Sequence, residues 1–501
     1  MAIANMGAPV DELPREDAPL LGNKQYYGSP QQREARLAVF TSALEFLPGF
    51  TCIILAGHMD SPHTKQYVDA STLSSMVRCC IVLLNSASQS LTFARSDVLQ
   101  FTNITAYSIG FGLTSALDTL CSQAYGAKRF DKIGIYFQSG LLIIGACMVP
   151  ITLLNWYAGY FLLLLGQDPE VAQLAQDYSR LVLLGVPFVF MYELVRKSLQ
   201  AQGIMKPLVA IAVFGNLVTI TTGYYFTYHS TLGFYGIALA RSLGNMVMPF
   251  LLIPYFQRHP QHLTQWWCEG WNIKAALEHI GLFLRLGVPG MLMMVMEWWA
   301  YELLSIMAGV LPNAIVEMSA HAVILNVSSM VYMIYAGLSS AANIRVGNCL
   351  GANRPKEARL ASRVALLLAL GVSVTLALGL YVLRGSIPMW FVNDPESIAL
   401  ASFALRVWAP FEVFDGLNCV VQGVFRGAGK QKVAATTNAF AYYAAGIPVA
   451  AVVAFQYHFG IEGLWLGFGT GICCSMAIQF YLLEFWRWDE LADDAQHRTA
   501  E

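Results

Sequence analysis

The sequence predicts an all-α polytopic membrane protein, with twelve transmembrane helices in two pseudo-symmetric six-helix bundles. Three observations lead there. The 501 residues are 56 % hydrophobic and only 12 % charged, about half the charge density of a soluble domain. Apolar stretches long enough to cross about 30 Å of hydrocarbon recur with short breaks. Motifs of the first half also return in the second. The mean hydropathy of +0.51 fits lipid as the solvent for much of the surface. A net charge of −2 gives no electrostatic footprint for nucleic acid. The ten cysteines form no CxxC pair and sit mostly in apolar runs. They read as small buried hydrophobes, with no metal and no cofactor expected.

Residues 1–36 are polar and carry Pro14, Pro19, Gly22 and Pro30 without the apolar core of a signal peptide. They are expected to be a disordered cytosolic tail. Within it, Glu16-Asp17-Ala18-Pro19-Leu20-Leu21 resembles a sorting signal for vacuolar or lysosomal membranes. The plasma membrane stays open as the alternative.

The expected spans are 37–57, 101–121, 136–160, 171–195, 207–228, 233–255, 279–309, 315–340, 361–383, 397–424, 433–455 and 461–485. They divide the chain into a first lobe at 37–256, a linker at 257–277, a second lobe at 278–486 and a cytosolic tail at 487–501. Lys and Arg mark the orientation. The connections after spans 2, 4, 6, 8 and 10, together with Arg363 at the start of span 9, hold sixteen basic residues, among them Lys128, Arg129, Lys197, Arg354 and Lys430. Outside the segment 77–100, which carries Arg78 and Arg95, the six alternate connections hold only Lys65 and Arg384. Both termini are therefore expected on the cytosolic side.

The internal repeat is direct. GLTSALDTLCSQAYGAKR (112–129) returns as GLSSAANIRVGNCLGANR (337–354). Asp168-Pro169-Glu170 returns as Asp394-Pro395-Glu396, and Arg180 and Gly203 return as Arg406 and Gly429, all at nearly the same offset. With six spans per half the repeat is parallel, related by an axis along the membrane normal. Two bundles facing each other across a cleft suit alternating access. Arg180 and Arg406 read as interfacial anchors.

Five strings, in order, resemble the multidrug and toxic compound extrusion (MATE) family in its eukaryotic branch. They are GFGLTSALDTLCSQAYGAKR (110–129), VPFVFMYELVRKSLQAQGIMKP (186–207), GVPGMLMMVMEWWAYE (287–302), YAGLSSAANIRVGNCLGAN (335–353) and VFRGAGKQKVAATTNAFAYYAAGIP (424–448). The likeness covers residues 100–485. It implies the MATE-type transporter fold and a secondary antiporter that expels small organic compounds, cations foremost, in exchange for H⁺ or Na⁺. Each chain supplies both halves of its own cleft, so a working monomer in the lipid bilayer is expected.

Two departures stand out. The segment VRCCIVLLNSASQSLTFARSDVLQ (77–100) interrupts what the family runs as one helix. It begins with Val and ends with Gln, whose codons can supply GT and AG ends, and reads as a retained intron. The approach to span 1 is also short, and Glu45 stands where the family usually has Gln. No acid occupies the span-1 site of bacterial members, so coupling is expected in the second lobe.

A carboxylate near mid-bilayer costs about 2.5–3.5 kcal/mol on insertion scales. Glu297 lies mid-span among Met291, Met293, Met294, Met296, Trp298 and Trp299, where proton and organic cation would compete for one site. The family places an essential acid at this EWWAYE position. Asp415 matches the family's acidic partner in span 10. Glu302, five residues past Glu297, turns roughly 140° away, and cavity lining and helix packing suit it equally. Asn326 stands where animal members carry an acid; an amide exchanges no proton and would at most hydrogen-bond substrate or Glu297. Tyr442 and Tyr443 match the family's AYY..GIP segment, lining a cavity or filling space between helices. Asp118 reads as a helix-end group fixing an Arg or backbone N–H partner. Pro289 and Pro448 would kink their spans.

No HExxH, GxSxG or GxxxxGK[ST] pattern occurs, so no enzyme is expected. A lipid-linked saccharide flippase of the same superfamily is the competing transporter. It would need a strongly cationic cavity.

Overall fold

A computed structural model describes residues 102–164, 169–267, 270–392 and 394–500. Span 1, with Glu45, the segment 77–100 and the tail 1–36 lie outside the described residues. Every regular element among the described residues is helical. In the first half these are a π-helical turn at Asn103–Tyr107, then α1 (Ser108–Thr114), α2 (Ala116–Gly126), α3 (Phe130–Trp156), α4 (Ala158–Leu164), α5 (Pro169–Leu183), α6 (Val186–Ala201), α7 (Lys206–Tyr228) and α8 (Phe234–Arg258). Short helices α9 (Gln261–Thr264) and α10 (Ile273–Glu278) form the linker. The second half has α11 (Ile280–Gly309), α12 (Ala314–Gly351), α13 (Pro355–Leu383) and α14 (Pro395–Ala428). It continues with α15 (Gln431–Asn438), a π-helical run at Ala439–Gly446, α16 (Ile447–Ala451), a second π-turn at Val452–Gln456, α17 (Gly460–Glu484) and α18 (Trp488–Ala500).

Among the described residues nine helices are long and apolar enough to cross a membrane, and ten when Ala172–Leu183 and Val186–Ala201, bent by 44°, count as one span. They match spans 3 to 12 in order. Span 2 is the broken run from Asn103 to Gly126, which the hydropathy pattern showed as a single helix. Large apolar side chains point outward along α13, with Leu367 69 % and Val382 73 % exposed. A soluble surface does not carry such a belt; hydrocarbon covers it.

Helix starts follow the chain chemistry. Pro187, Pro207, Pro355 and Pro395 open α6, α7, α13 and α14 in the first turn, where the missing N–H costs nothing. Asp394 caps α14 by accepting from the Ser397 N–H at 2.9 Å and its hydroxyl at 2.8 Å. Pro448, at the start of α16, has no N–H to give, and the helix before it widens into the π-run.

The duplication is visible in the backbone. Six of the nine positive-φ residues among the described residues fall in matched pairs: Lys128 (φ 59°) with Asn353 (φ 56°), Gly203 with Gly429 (both φ 74°), and Gly233 (φ 50°) with His458 (φ 57°). Each pair is separated by the offset of the sequence repeat.

The repeated motifs also touch. A Cβ on Gly126 would collide with the Asn348 carbonyl oxygen, and one on Gly351 with that of Gln123. Ser122 meets Gly347, its own counterpart. Small residues four apart on both helices, Ser122/Gly126 and Gly347/Gly351, let α2 and α12 approach to backbone contact. This seam lies at the end of the molecule that carries the basic connections, called here the basic end.

More bonds close the halves there. Thr119 Oγ1 donates to the Arg426 carbonyl at 2.5 Å, and Gln431 Nε2 donates to Thr119 Oγ1 at 2.6 Å. Residues 487–501, expected as a tail, contain α18 docked across both halves. Arg129 Nη1 and Tyr136 Oη of the first half donate to the Thr499 and Arg498 carbonyls at 2.5 and 3.2 Å. Trp488, Leu491, Ala492 and Ala495 are buried against the second half. The apolar core of the first half also takes in Phe283 and Leu286 of α11, while the outer part of the second half has a core of its own.

Candidate functional site

The second half gathers acids on two long helices. Glu297 of α11 is buried, and Tyr301 follows one turn later on the same face. On α14 the residues Glu412, Asp415, Cys419, Gln422 and Arg426 recur at spacings of three and four, so they form one polar stripe along an otherwise apolar helix. Glu412, Asp415 and Gln422 are buried. The helices bring Asp415 within electrostatic reach of both Glu297 and Glu412. Gln422 and Arg426 stand on the Glu297 side. Gln422 Nε2 makes no hydrogen bond of good geometry and Asp415 Oδ2 has no partner among the described residues.

Tyrosines surround these acids. Tyr442 is fully buried, near Glu297 and Asp415, and its ring stacks on Phe468 at 5.6 Å. Its hydroxyl accepts from Asn418 Nδ2 at 3.2 Å. Tyr443 donates to the Met296 carbonyl at 3.2 Å, which ties the π-run to α11 beside Glu297. Tyr301 of α11, whose ring meets Phe468 at 4.5 Å, and Tyr332 of α12 also lie near Glu297 and Asp415.

Behind the tyrosines lies a buried amide and hydroxyl network. Ser475 Oγ lies 3.1 Å from Asn418 Oδ1 and 2.9 Å from Asn438 Oδ1. Gln479 Nε2 donates to both Asn438 Oδ1 and Ser475 Oγ at 2.9 Å. The network locks α14, α15 and α17 together and so fixes Tyr442. Isolated Asn and Gln residues in apolar runs gave no sign of it.

Of the residues singled out in the sequence, the fold brings together Glu297, Asp415, Tyr442 and Tyr443. Glu302 is buried too, roughly 140° around α11 from Glu297. Asn326 is half-buried, and its Nδ2 donates to the Ala322 carbonyl of its own helix at 2.8 Å. One of its amide protons is thus engaged within α12. Asp118 pairs with Lys197 at 2.7 Å, a basic partner other than the expected Arg or backbone. Arg180 stacks over Trp156 at 5.0 Å and Arg406 over Phe403 at 6.0 Å. Glu412 is the acid that sequence reading missed. Its one signal was its place three residues before Asp415.

A helical protein of two repeated halves, apolar toward lipid and acidic within the second half, belongs to the membrane transporters. The MatE family model matches residues 72–225 and 289–452, and the chain belongs to this family of multidrug and toxin extrusion transporters. It is 34 % identical over 457 residues to human multidrug and toxin extrusion protein 1, covering 91 % of this chain and 77 % of that one. It is 35 % identical over 412 residues to protein DETOXIFICATION 16 of Arabidopsis thaliana, covering 81 % and 83 %. The crystal structure of the eukaryotic MATE transporter AtDTX14 matches with a TM-score of 0.82 and 27 % identity, over 94 % of this chain and all of that one.

Proposed function

We propose that the chain exports organic cations in exchange for protons by alternating access, with Glu297 as the group where proton and substrate compete and Asp415 as its partner. One observation carries this reading. Glu297 and Asp415 are buried within reach of each other, with the Arg426 guanidinium near Glu297 and a wall of tyrosines around them. A buried acid cluster with fewer cations than carboxylates holds a proton when empty and releases it to an arriving cation. The tyrosine faces add cation–π attraction for flat cations.

The rest follows in order. By the positive-inside rule the basic end faces the cytosol, and both termini with it. The seam closed at that end supports reading this arrangement as the state that opens away from the cytosol. The monomer suffices, since one chain holds both halves. The acidic dileucine pattern favours a vacuolar or lysosomal membrane, with the plasma membrane as the alternative.

The test is uptake of ethidium, a fluorescent monovalent cation, into proteoliposomes with an imposed pH gradient and a parallel Na⁺ gradient. Transport driven by the pH gradient and lost in Glu297→Gln is the expected result. Transport driven by Na⁺ alone would change the coupling ion. If neither gradient moves the dye, this reading fails and a flippase becomes the better one.

A further inference from the structure

We propose that Glu412 and Asp415 act as one proton-sharing pair, which adds a second exchangeable proton to the one carried by Glu297. Two protons would then return for each monovalent cation released. This rests on the proton-coupled exporter reading above.

The geometry supplies the argument. Glu412 is wholly buried on α14, one turn before Asp415 on the same face. Side chains at this spacing lie about 5–6 Å apart at Cβ. Glu412 Oε2 accepts from the Trp408 indole N–H at 2.6 Å, a neutral donor that brings no charge. Glu412 Oε1 and Asp415 Oδ2 have no hydrogen-bond partner among the described residues. Each spare oxygen is therefore a seat for a proton.

Among the described residues, the surrounding groups offer no cation close by. From α11 come Glu297 and Tyr301, and from α12 come His321, Tyr332 and Tyr335. His321 bonds Ser305 Oγ at 2.6 Å and lies against the Trp465 ring, which in turn meets Trp408 at 4.7 Å. The π-run contributes Tyr442, α17 only the Trp465 and Phe468 rings, and α13 the Ser373 hydroxyl beside Tyr335. On α14 itself, Arg406 is exposed and stacked on Phe403. Arg426 lies eleven residues beyond Asp415, roughly 16 Å along the helix, and its Nη2 donates to Ser339 Oγ at 2.9 Å. Two carboxylates this close, out of water and without a cation, cannot both be charged. They titrate as a pair.

The proton balance closes without any other reactant. An arriving monovalent cation displaces one proton from Glu297 and one from the pair, and both leave on the side from which the cation came. On the far side the cation departs and two protons replace it. Each cycle moves one net positive charge in the direction of the protons.

Steady-state ethidium accumulation in proteoliposomes, with the membrane potential clamped at zero by K⁺ and valinomycin, reads this ratio. Two-proton exchange gives about a hundredfold accumulation per pH unit, and one-proton exchange about tenfold. The wild type is expected near the first value with voltage-sensitive flux. Glu412→Gln is expected near the second with flux that ignores voltage. Glu412→Asp, which keeps a carboxyl, should hold the two-proton ratio. A tenfold, voltage-insensitive wild type overturns the proposal while leaving the exporter standing, whether or not either variant folds. A hundredfold ratio retained by Glu412→Gln overturns it as well. Absence of any pH-driven flux in the wild type brings down the exporter reading, and the pair with it.

Discussion

Gln123 Nε2 donates to the Gly427 carbonyl oxygen at 2.9 Å, from the first half of the molecule to the second. The reciprocal bond also exists. Asn348, the repeat counterpart of Gln123, donates through Nδ2 at 3.5 Å to the carbonyl of Ala201, the repeat counterpart of Gly427. The seam thus obeys a local two-fold axis, as the interface of a symmetric dimer does.

If the two bonds act as equivalent members of one seam, Gln123→Ala and Asn348→Ala should each lower stability by about 0.5–1.5 kcal/mol. The shorter bond, from Gln123, should account for the larger loss. Thermal unfolding of detergent-solubilised single and double variants checks this. The two sites are related by symmetry but share no partner, so the double variant should show the sum.

Gly126→Leu should pry the seam apart. Its side chain would meet the Asn348 carbonyl, which is backbone and cannot yield. Overpacking of this kind costs about 1–3 kcal/mol, roughly a 5- to 150-fold shift in the ratio of closed to open seam. Cys349, buried beside the seam, reports it. A maleimide should label Cys349 faster in Gly126→Leu than in the wild type, in a background lacking the other cysteines.

The network behind Tyr442 should be less tolerant than a surface bond. Asn438→Ala removes the acceptor shared by Ser475 and Gln479 and leaves their buried groups short of a partner, at about 1–3 kcal/mol. Asn438→Asp keeps the acceptor but buries a charge. Both should lower the melting temperature, and both should weaken ethidium binding through displacement of Tyr442.

Asp394 gives a pH dependence outside the membrane spans. The Ser397 backbone N–H, then its hydroxyl, hold the Asp394 carboxyl below its ordinary value. A carboxyl lowered in the folded state stabilises fully above its unfolded value, and that contribution fades as pH falls through the folded one. Melting temperatures of wild type and Asp394→Asn should therefore converge on acidification, because Asn caps the helix without titrating.

The sequence disclosed the spans, the repeat and the acids at 297 and 415, because hydropathy, Lys and Arg placement and lone carboxylates are local signals. It disclosed less where meaning depends on which helices meet. α12 and α14 run on to Gly351 and Ala428 past the expected ends at 340 and 424, since the seam stabilises turns too polar to read as membrane. The bend between Leu183 and Val186 sits in an uninterrupted apolar run. Glu412 looked like a neighbour of Asp415 until α14 packed inward, and Asn418, Asn438, Ser475 and Gln479 are scattered until three helices converge. The docked α18 has a polar sequence whose few apolar positions show their use only against α12 and α13.

α14 joins the seam to the acids as one rigid bar. Its carbonyls at Arg426 and Gly427 are held by Thr119 and Gln123, while Glu412 rides about 22 Å farther along the same axis. Any tilt pivoting on the seam is therefore amplified with distance. At this arm length a rotation of roughly 5° sweeps Glu412 sideways by about 2 Å, carrying its Trp408 partner with it and shifting both against the groups of the facing helices. The helix works as a lever whose fulcrum is the lobe contact and whose far end is a carboxyl. Small angular slack at the seam becomes a decision about where a proton sits.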